Sequence, residues 1–162
     1  FAVSEAVTDT AESFADFAQS KGHAISLAVA PGLSYCGDEA AVRQLASILL
    51  DNAVKYAAPE TEIRISLEQI KRGVKLTVTN TCDQPPEGDL NRLFDRFYRP
   101  DASRTAATGD FGIGLSIAKS IAEAHRGQIR ASTQGTAISF IAELKRDAHK
   151  KPLPNKAAAI IV

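Results

Sequence analysis

The sequence predicts an α/β layer fold in which a mixed, mostly antiparallel sheet packs on three helices. Three observations predict it. Three segments carry apolar residues at helical spacing, and two pairs of short segments read as β-hairpins. The order is helix, strand, helix, hairpin, long loop, helix, hairpin, which interleaves both element types along one chain.

Ser4 is placed to cap a first helix, in which Val7, Ala11, Phe14 and Ala18 recur 4, 3 and 4 residues apart before Lys21-Gly22 ends it. From His23 to Ala30 a weak alternation of Ala24, Ser26 and Ala28 suggests a half-buried strand, closed by the turn Pro31-Gly32. Asp38 is a natural N-cap for a long helix over Glu39 to Ala58, stopped by Pro59. Val42, Leu45, Leu49 and Ala53 form its apolar stripe. Ile63, Ile65 and Leu67, then Val74, Leu76 and Val78, mark two strands joined through Lys71-Arg72-Gly73. Between Thr81 and Asp110 the chain is rich in Pro, Asp, Arg and Gly, with one aromatic cluster at 93–99. A connection of about 30 residues exceeds ordinary loop lengths and is expected to be a functional, mobile lid. A third helix is expected from near Gly112 to Ala124, with Ile117, Ala118, Ile121 and Ala122 inward and His125-Arg126-Gly127 as its stop. Strands follow around Ile129 to Ser132 and Ile138 to Leu144. The expected domain is 1–145, and 146–162 carries no sustained pattern and is expected to be a tail.

A chain of 162 residues is about one domain and is long enough to bury a core. With 44% apolar and 23% charged residues it is neither disordered nor fibrous. Lys plus Arg balances Asp plus Glu at 19 each, which argues against a bulk-charge grip on nucleic acid. No apolar run approaches the roughly 18 residues of a membrane span. Two cysteines, Cys36 and Cys82, are too few for a disulfide scaffold and lack His partners for zinc, so a reduced compartment is expected. The start at Phe1 and the lack of methionine suggest a segment of a longer protein.

Four features break this ordinary pattern. Asn52 follows Ile48 and Leu49 at i−4 and i−3 and so lies on or beside the buried stripe. It is either a core carboxamide bonded to backbone or an oxygen donor offered to a metal or ligand. Mg²⁺ takes such hard oxygens and keeps water and phosphate in its remaining positions. Lys55 and Tyr56 lie one turn on, and Lys55 is within reach of a phosphate. Asn80 ends the apolar row Val74, Leu76, Val78, either as a turn residue or as one specific hydrogen bond in an apolar pocket. Gly109-Asp110-Phe111-Gly112-Ile113-Gly114-Leu115 opens the third helix, whose first amides make an anion site if the glycines are more than a flexible entry. In the aromatic cluster, Phe94, Phe97 and Tyr98 are expected to anchor the lid. Arg96, Arg99 and Arg104 are either solvated or aimed at phosphate.

In this order the four blocks resemble the catalytic and ATP-binding domain of bacterial sensor histidine kinases, of the GHKL ATPase group with its Bergerat fold. Gln44-Leu45 through Tyr56 resembles the N box, Val78-Thr79-Asn80-Thr81 lies where the first glycine box belongs, and Leu93 to Arg99 resembles the F box. Gly109 to Leu115 with the following Ser116-Ile117-Ala118-Lys119 resembles the second glycine box and its helix. The resemblance covers about residues 1–145. It implies a two-layer α/β sandwich with an ATP lid over residues 81–111, and it implies roles. Asn52 would hold the Mg²⁺ bridging the ATP phosphates, Lys55 would meet phosphate, and Tyr56 would lie against the nucleotide. Asn80 would read adenine, where most members carry Asp. Gly109, Gly112 and Gly114, with the amides of Ile113 and Leu115, would cradle phosphate, and Arg99 and Arg96 would face the γ-phosphate.

Three departures accompany it: the first glycine box reads Asn80-Thr81-Cys82-Asp83-Gln84 with neither glycine, Ile48 stands where many members carry a polar residue, and Asp110 stands where a second Gly is common in the second glycine box. The resemblance implies transfer of the ATP γ-phosphoryl group to a histidine, with Asn52, Lys55 and Arg99 as the catalytic set. The acceptor would lie on an upstream dimerisation domain of the same protein, since His23, His125 and His149 stand in no acceptor context. His125 is expected to be a structural cap, and this chain alone is expected not to autophosphorylate. A cognate response regulator is the implied partner, with no nucleic acid and no direct membrane contact. The domain is expected to be cytoplasmic, in a protein anchored in the bacterial inner membrane. The alternatives are a degenerate GHKL nucleotide-binding module without kinase activity and an anti-sigma-factor serine kinase, the latter disfavoured by the complete F box.

Overall fold

The computed structural model describes residues 1–98 and 113–146. Among them the order is α1 (Val3–Ser13), α2 (Ala15–Ser20), β1 (Ile25–Val29), α3 (Glu39–Tyr56), β2 (Ile63–Ile70), β3 (Gly73–Thr81), a 3₁₀ turn (Leu90–Phe94), α4 (Gly114–Ala124), β4 (Gln128–Gln134) and β5 (Ala137–Lys145). The five strands lie in the order β1-β2-β3-β5-β4. β1 runs parallel to β2, and the other pairs are antiparallel. This is the mixed, mostly antiparallel sheet the sequence predicts.

Strand residues alternate between two unlike faces. One face carries Ile63, Ile65 and Leu67 of β2, Val74, Leu76 and Val78 of β3, and Ile138, Phe140, Ala142 and Leu144 of β5, all buried under the helices. The other face is polar: Lys75 pairs with Glu68 at 2.7 Å, and the hydroxyls of Thr79 and Ser139 bond at 2.7 Å. The helices close the inner face with Val3 and Val7 from α1, Val42, Leu45, Leu49 and Leu50 from α3, and Ala118 and Ala122 from α4. Asp38 caps α3 as expected, its carboxylate accepting from the Ala41 amide at 3.1 Å.

Several boundaries differ from expectation for identifiable reasons. The expected single helix from Ser4 to Ser20 is two helices, parted at Phe14. Just before the break, the Thr10 hydroxyl donates to the Ala6 carbonyl and the Ser13 hydroxyl to Thr10, contacts that compete with the backbone ladder. Ser4 is not the cap; that position is Ala2. Ser4 instead donates to the Ala30 carbonyl at 2.6 Å and accepts from the Leu33 amide at 2.9 Å, tying α1 to the segment after β1. Removing both bonds with Ser4→Ala is expected to cost about 1–3 kcal/mol in urea unfolding. A loss of a few tenths would show that water replaces the hydroxyl. β1 turns Ile25 and Val29 to the core, not Ala24, Ser26 and Ala28, because register sets them beside Ile63 and Leu67. α3 stops at Tyr56 rather than Ala58; the Ala58 amide leaves the helix to bond the Thr81 carbonyl at 2.7 Å. Ile117 is 37% exposed rather than inward, since it lies about 100° round the helix from the buried Ala118.

The connection after β3 is partly built. Leu93 and Phe94 are buried, and Phe94 meets the Phe140 ring edge-on at 6.1 Å, so Phe94 anchors it as expected. Phe97 does not: it is 59% exposed, with the Arg96 guanidinium 4.9 Å over its ring. Tyr98 is half-buried under Arg92. The remaining lid residues, 99–111, and the expected tail beyond Arg146 lie outside the described residues.

Candidate functional site

The C-terminal half of α3, the end of β3 and the start of α4 meet at one end of the inner face. α3 and β3 are joined there by the Ala58 amide on the Thr81 carbonyl. α3 and α4 meet where a Cβ on Gly114 would sit 3.5 Å from Ile48 Cγ2, so the start of α4 lies against α3 one turn before Asn52. A Cβ there would make only an ordinary van der Waals contact, so the helix approach itself does not require the glycine. The N-cap of α4, Ile113, provides no side-chain hydrogen bond, and among the described residues the first amides of α4 have no acceptor.

Asn52 is half-buried, and among the described residues its side chain has no hydrogen-bond partner. The core reading, a carboxamide bonded to backbone, is therefore not what the fold builds. Lys55 is half-buried and pairs with Asp51 one turn back, Nζ to Oδ2 at 3.0 Å. Tyr56 is half-buried beside them.

Asn80 is 1% exposed and shares the inner face with Leu76 and Val78. Its row continues to Ile138 on β5 and Thr133 on β4. Its Nδ2 donates to the Thr81 carbonyl at 3.2 Å, and that bond sets which way the amide faces. Oδ1 is left as an acceptor on the side away from Thr81. Cys82, where the family pattern has a glycine, is buried and closes the strand end: its amide donates to the Thr136 carbonyl at 2.8 Å. A shallow depression at this end of the sheet is lined by Thr61, Glu62, Arg64, Thr79, Asn80 and Thr81.

The fold thus brings Asn52, Lys55, Tyr56, Asn80, Ile113, Gly114 and Leu115 to one end. Arg96 stands off on the Phe97 ring, exposed to solvent. Arg99, Gly109 and Gly112 lie outside the described residues. Sequence reasoning missed Asp51, although the Asp51–Lys55 spacing of four is itself an ion-pair signal. It also missed the Thr81 and Thr136 carbonyls, which act through backbone and leave no trace in residue type. Among the described residues no cluster of three His, Cys, Asp or Glu could hold a metal on its own.

Residues 37–147 match the model of the histidine kinase-, DNA gyrase B- and HSP90-like ATPases. The chain belongs to this family. The probable sensor protein PcoS of Escherichia coli is 43% identical over 111 residues, which is 68% of this chain and 24% of that protein. The signal transduction histidine-protein kinase BaeS of Escherichia coli K12 is 32% identical over 135 residues, 82% of this chain and 29% of that protein. The chain therefore spans about a quarter to three-tenths of the length of these relatives. Among solved structures, the nucleotide-free catalytic domain of histidine kinase ThkA superposes with a TM-score of 0.79 at 22% identity, covering 90% of this chain and 93% of that one. That likeness shows the fold, the five-stranded sheet and helix layer described above. No described helix is long and apolar enough to cross a membrane.

Proposed function

We propose that this domain binds Mg-ATP at the junction of α3, β3 and α4 and donates the γ-phosphoryl group to a histidine on another domain of the same sensor kinase. The observation that carries the reading is Asn52: a half-buried carboxamide without a hydrogen-bond partner among the described residues, near the start of α4 and one turn from Lys55. The relatives' description as sensor proteins and histidine-protein kinases supports the same assignment. We take residues 1–145 as the domain and 146–162 as its tail. The partners are an upstream dimerisation domain bearing the acceptor histidine and a response regulator, within a membrane-anchored protein.

The residues fit a magnesium ion delivered with the nucleotide. Asn52 Oδ1 supplies one hard oxygen, and phosphates and water suit the other positions. Bound there, the ion would neutralise charge on the phosphates. The chain's own part is positioning and electrostatics. The amides of Gly114 and Leu115 lie where helix-start donors meet a phosphate. Lys55 brings a cation that must exchange Asp51 for phosphate oxygen, and Arg96 and Arg99 add charge from the lid. With no group here that must form a covalent intermediate, in-line positioning supplies the rate.

Base selection falls to Asn80. With Nδ2 held by the Thr81 carbonyl, Oδ1 is left as the acceptor, suited to the adenine amino group and unsuited to the guanine carbonyl. Asn80→Ala is expected to weaken binding of an ATP analogue about tenfold or more, as one lost hydrogen bond with a buried base requires. It should also erase the preference over the GTP analogue. Calorimetry with both analogues checks this, and a retained preference would remove Asn80 from the base site. Binding of neither analogue by the parent chain would favour the degenerate module.

A further inference from the structure

We infer that His125 is a positioning residue for the nucleotide site, acting as a neutral clamp that fixes α4 against α3 from the end opposite to where ATP binds. This rests on the nucleotide reading above.

The two helices run antiparallel, since the start of α4 meets Ile48 on α3 while the end of α4 meets the cap of α3. At the first junction Gly114 packs on Ile48; at the second, His125 bonds the cap of α3. Its Nδ1 lies 2.8 Å from the Ile121 carbonyl, and its Nε2 lies 3.1 Å from the amide of Asp38, the N-cap of α3. A carbonyl can only accept and an amide N–H can only donate. The ring must therefore carry its proton on Nδ1 and present a lone pair at Nε2. The backbone joins in: the Lys145 amide donates to the His125 carbonyl at 3.0 Å, and the Tyr35 hydroxyl donates to the Lys145 carbonyl at 3.0 Å. The Tyr35 ring lies 5.9 Å from the imidazole, and burial pushes its phenol up to about 12, so it remains a neutral donor. Space is equally constrained: a Cβ on Gly37 would come 2.5 Å from Tyr35 Cε1 and 2.8 Å from His125 Cδ2.

A helix cap alone needs one bond to its own helix, and the Nδ1 contact with Ile121 serves that. The Nε2 contact leaves the helix and reaches the other nucleotide-bearing element. Sliding or rotating α4 against α3 would break it, and would at the same time move the α4 amides relative to Asn52 and Lys55. Coupling between two ends of packed helices is carried by such rigid elements.

The test uses the full chain and a non-hydrolysable ATP analogue with Mg²⁺. Long-range ¹H–¹⁵N spectra of the parent are expected to show His125 with Nδ1 protonated and Nε2 bare; the reverse tautomer would overturn the clamp. His125→Phe keeps an aromatic ring against Tyr35 and loses both bonds. It is expected to weaken analogue binding about fivefold, the lower range of site-to-site coupling. His125→Gln, which restores an acceptor toward Asp38, should return affinity to within about twofold of the parent. Gly37→Ala displaces the ring from the other side and should weaken binding like His125→Phe, and it decides the matter if His125→Phe does not fold. Unchanged affinity in the folded variants overturns the positioning role. If the parent itself ignores the analogue, the nucleotide reading has failed and the positioning role with it, while the tautomer spectrum still reports whether the contact forms.

Discussion

Asn52→Ala is expected to abolish Mg²⁺-dependent binding of an ATP analogue while leaving the fold intact. Among the described residues the side chain has no hydrogen-bond partner to lose. Alanine is the better helix former by a fraction of a kcal/mol, so stability should hold or rise slightly. The binding loss follows from chemistry: without the carboxamide oxygen, this chain offers no other unpartnered hard donor at that turn of α3. Calorimetric titration with and without Mg²⁺, alongside urea unfolding, separates the two effects. Normal Mg²⁺-dependent binding by the variant would remove Asn52 from the metal site. An unfolded variant would return it to a core role.

Gly127→Ala is expected to destabilise the domain more than any other single methyl addition at a described glycine. A Cβ there would land on the backbone carbonyl oxygen of Glu143, with the Glu143 carbonyl carbon and Leu144 Cα close behind. Backbone of β5 cannot swing aside like a side chain, and β5 is held on both edges by β3 and β4. A loss of about 3–5 kcal/mol is expected, a large share of a domain's usual 5–15 kcal/mol. Gly135→Ala is the control. That residue has φ of +61° in the β4–β5 turn with open space around it. It should therefore cost only the left-handed penalty of about 1–2 kcal/mol. Urea midpoints for the two variants check the ordering, and equal losses would contradict the close approach.

The strong sequence signals and the weak ones had different physical origins. Period-two rows such as Val74, Leu76, Val78 and the Asp38 cap were legible because burial of one face and a helix's orphan amides leave their mark on residue type. The inward parity of β1 was not, because its alternating alanines and serine carry little hydrophobic contrast; pairing with Ile63 and Leu67 decides it. The break at Phe14 was hidden in the same way, since Val7, Ala11 and Ala18 stay buried across it. At the site, Asn52, Lys55, Asn80 and Gly114 were legible as polar or glycine intrusions into apolar patterns. The orientation of the Asn80 amide was not, because it depends on a backbone carbonyl. The reach of His125 to Asp38 was likewise illegible, because it joins positions far apart in sequence.

The most direct measurement is thermal unfolding of the chain with a non-hydrolysable ATP analogue, with and without Mg²⁺, against the GTP analogue. At about one hundred times its dissociation constant a ligand adds about 2.7 kcal/mol, which for this size raises the midpoint by roughly 5–10 °C. That rise is expected with the ATP analogue and Mg²⁺ together, and little with the GTP analogue or without the metal. No shift at millimolar ATP analogue, or an equal shift with both nucleotides, would contradict the proposed function.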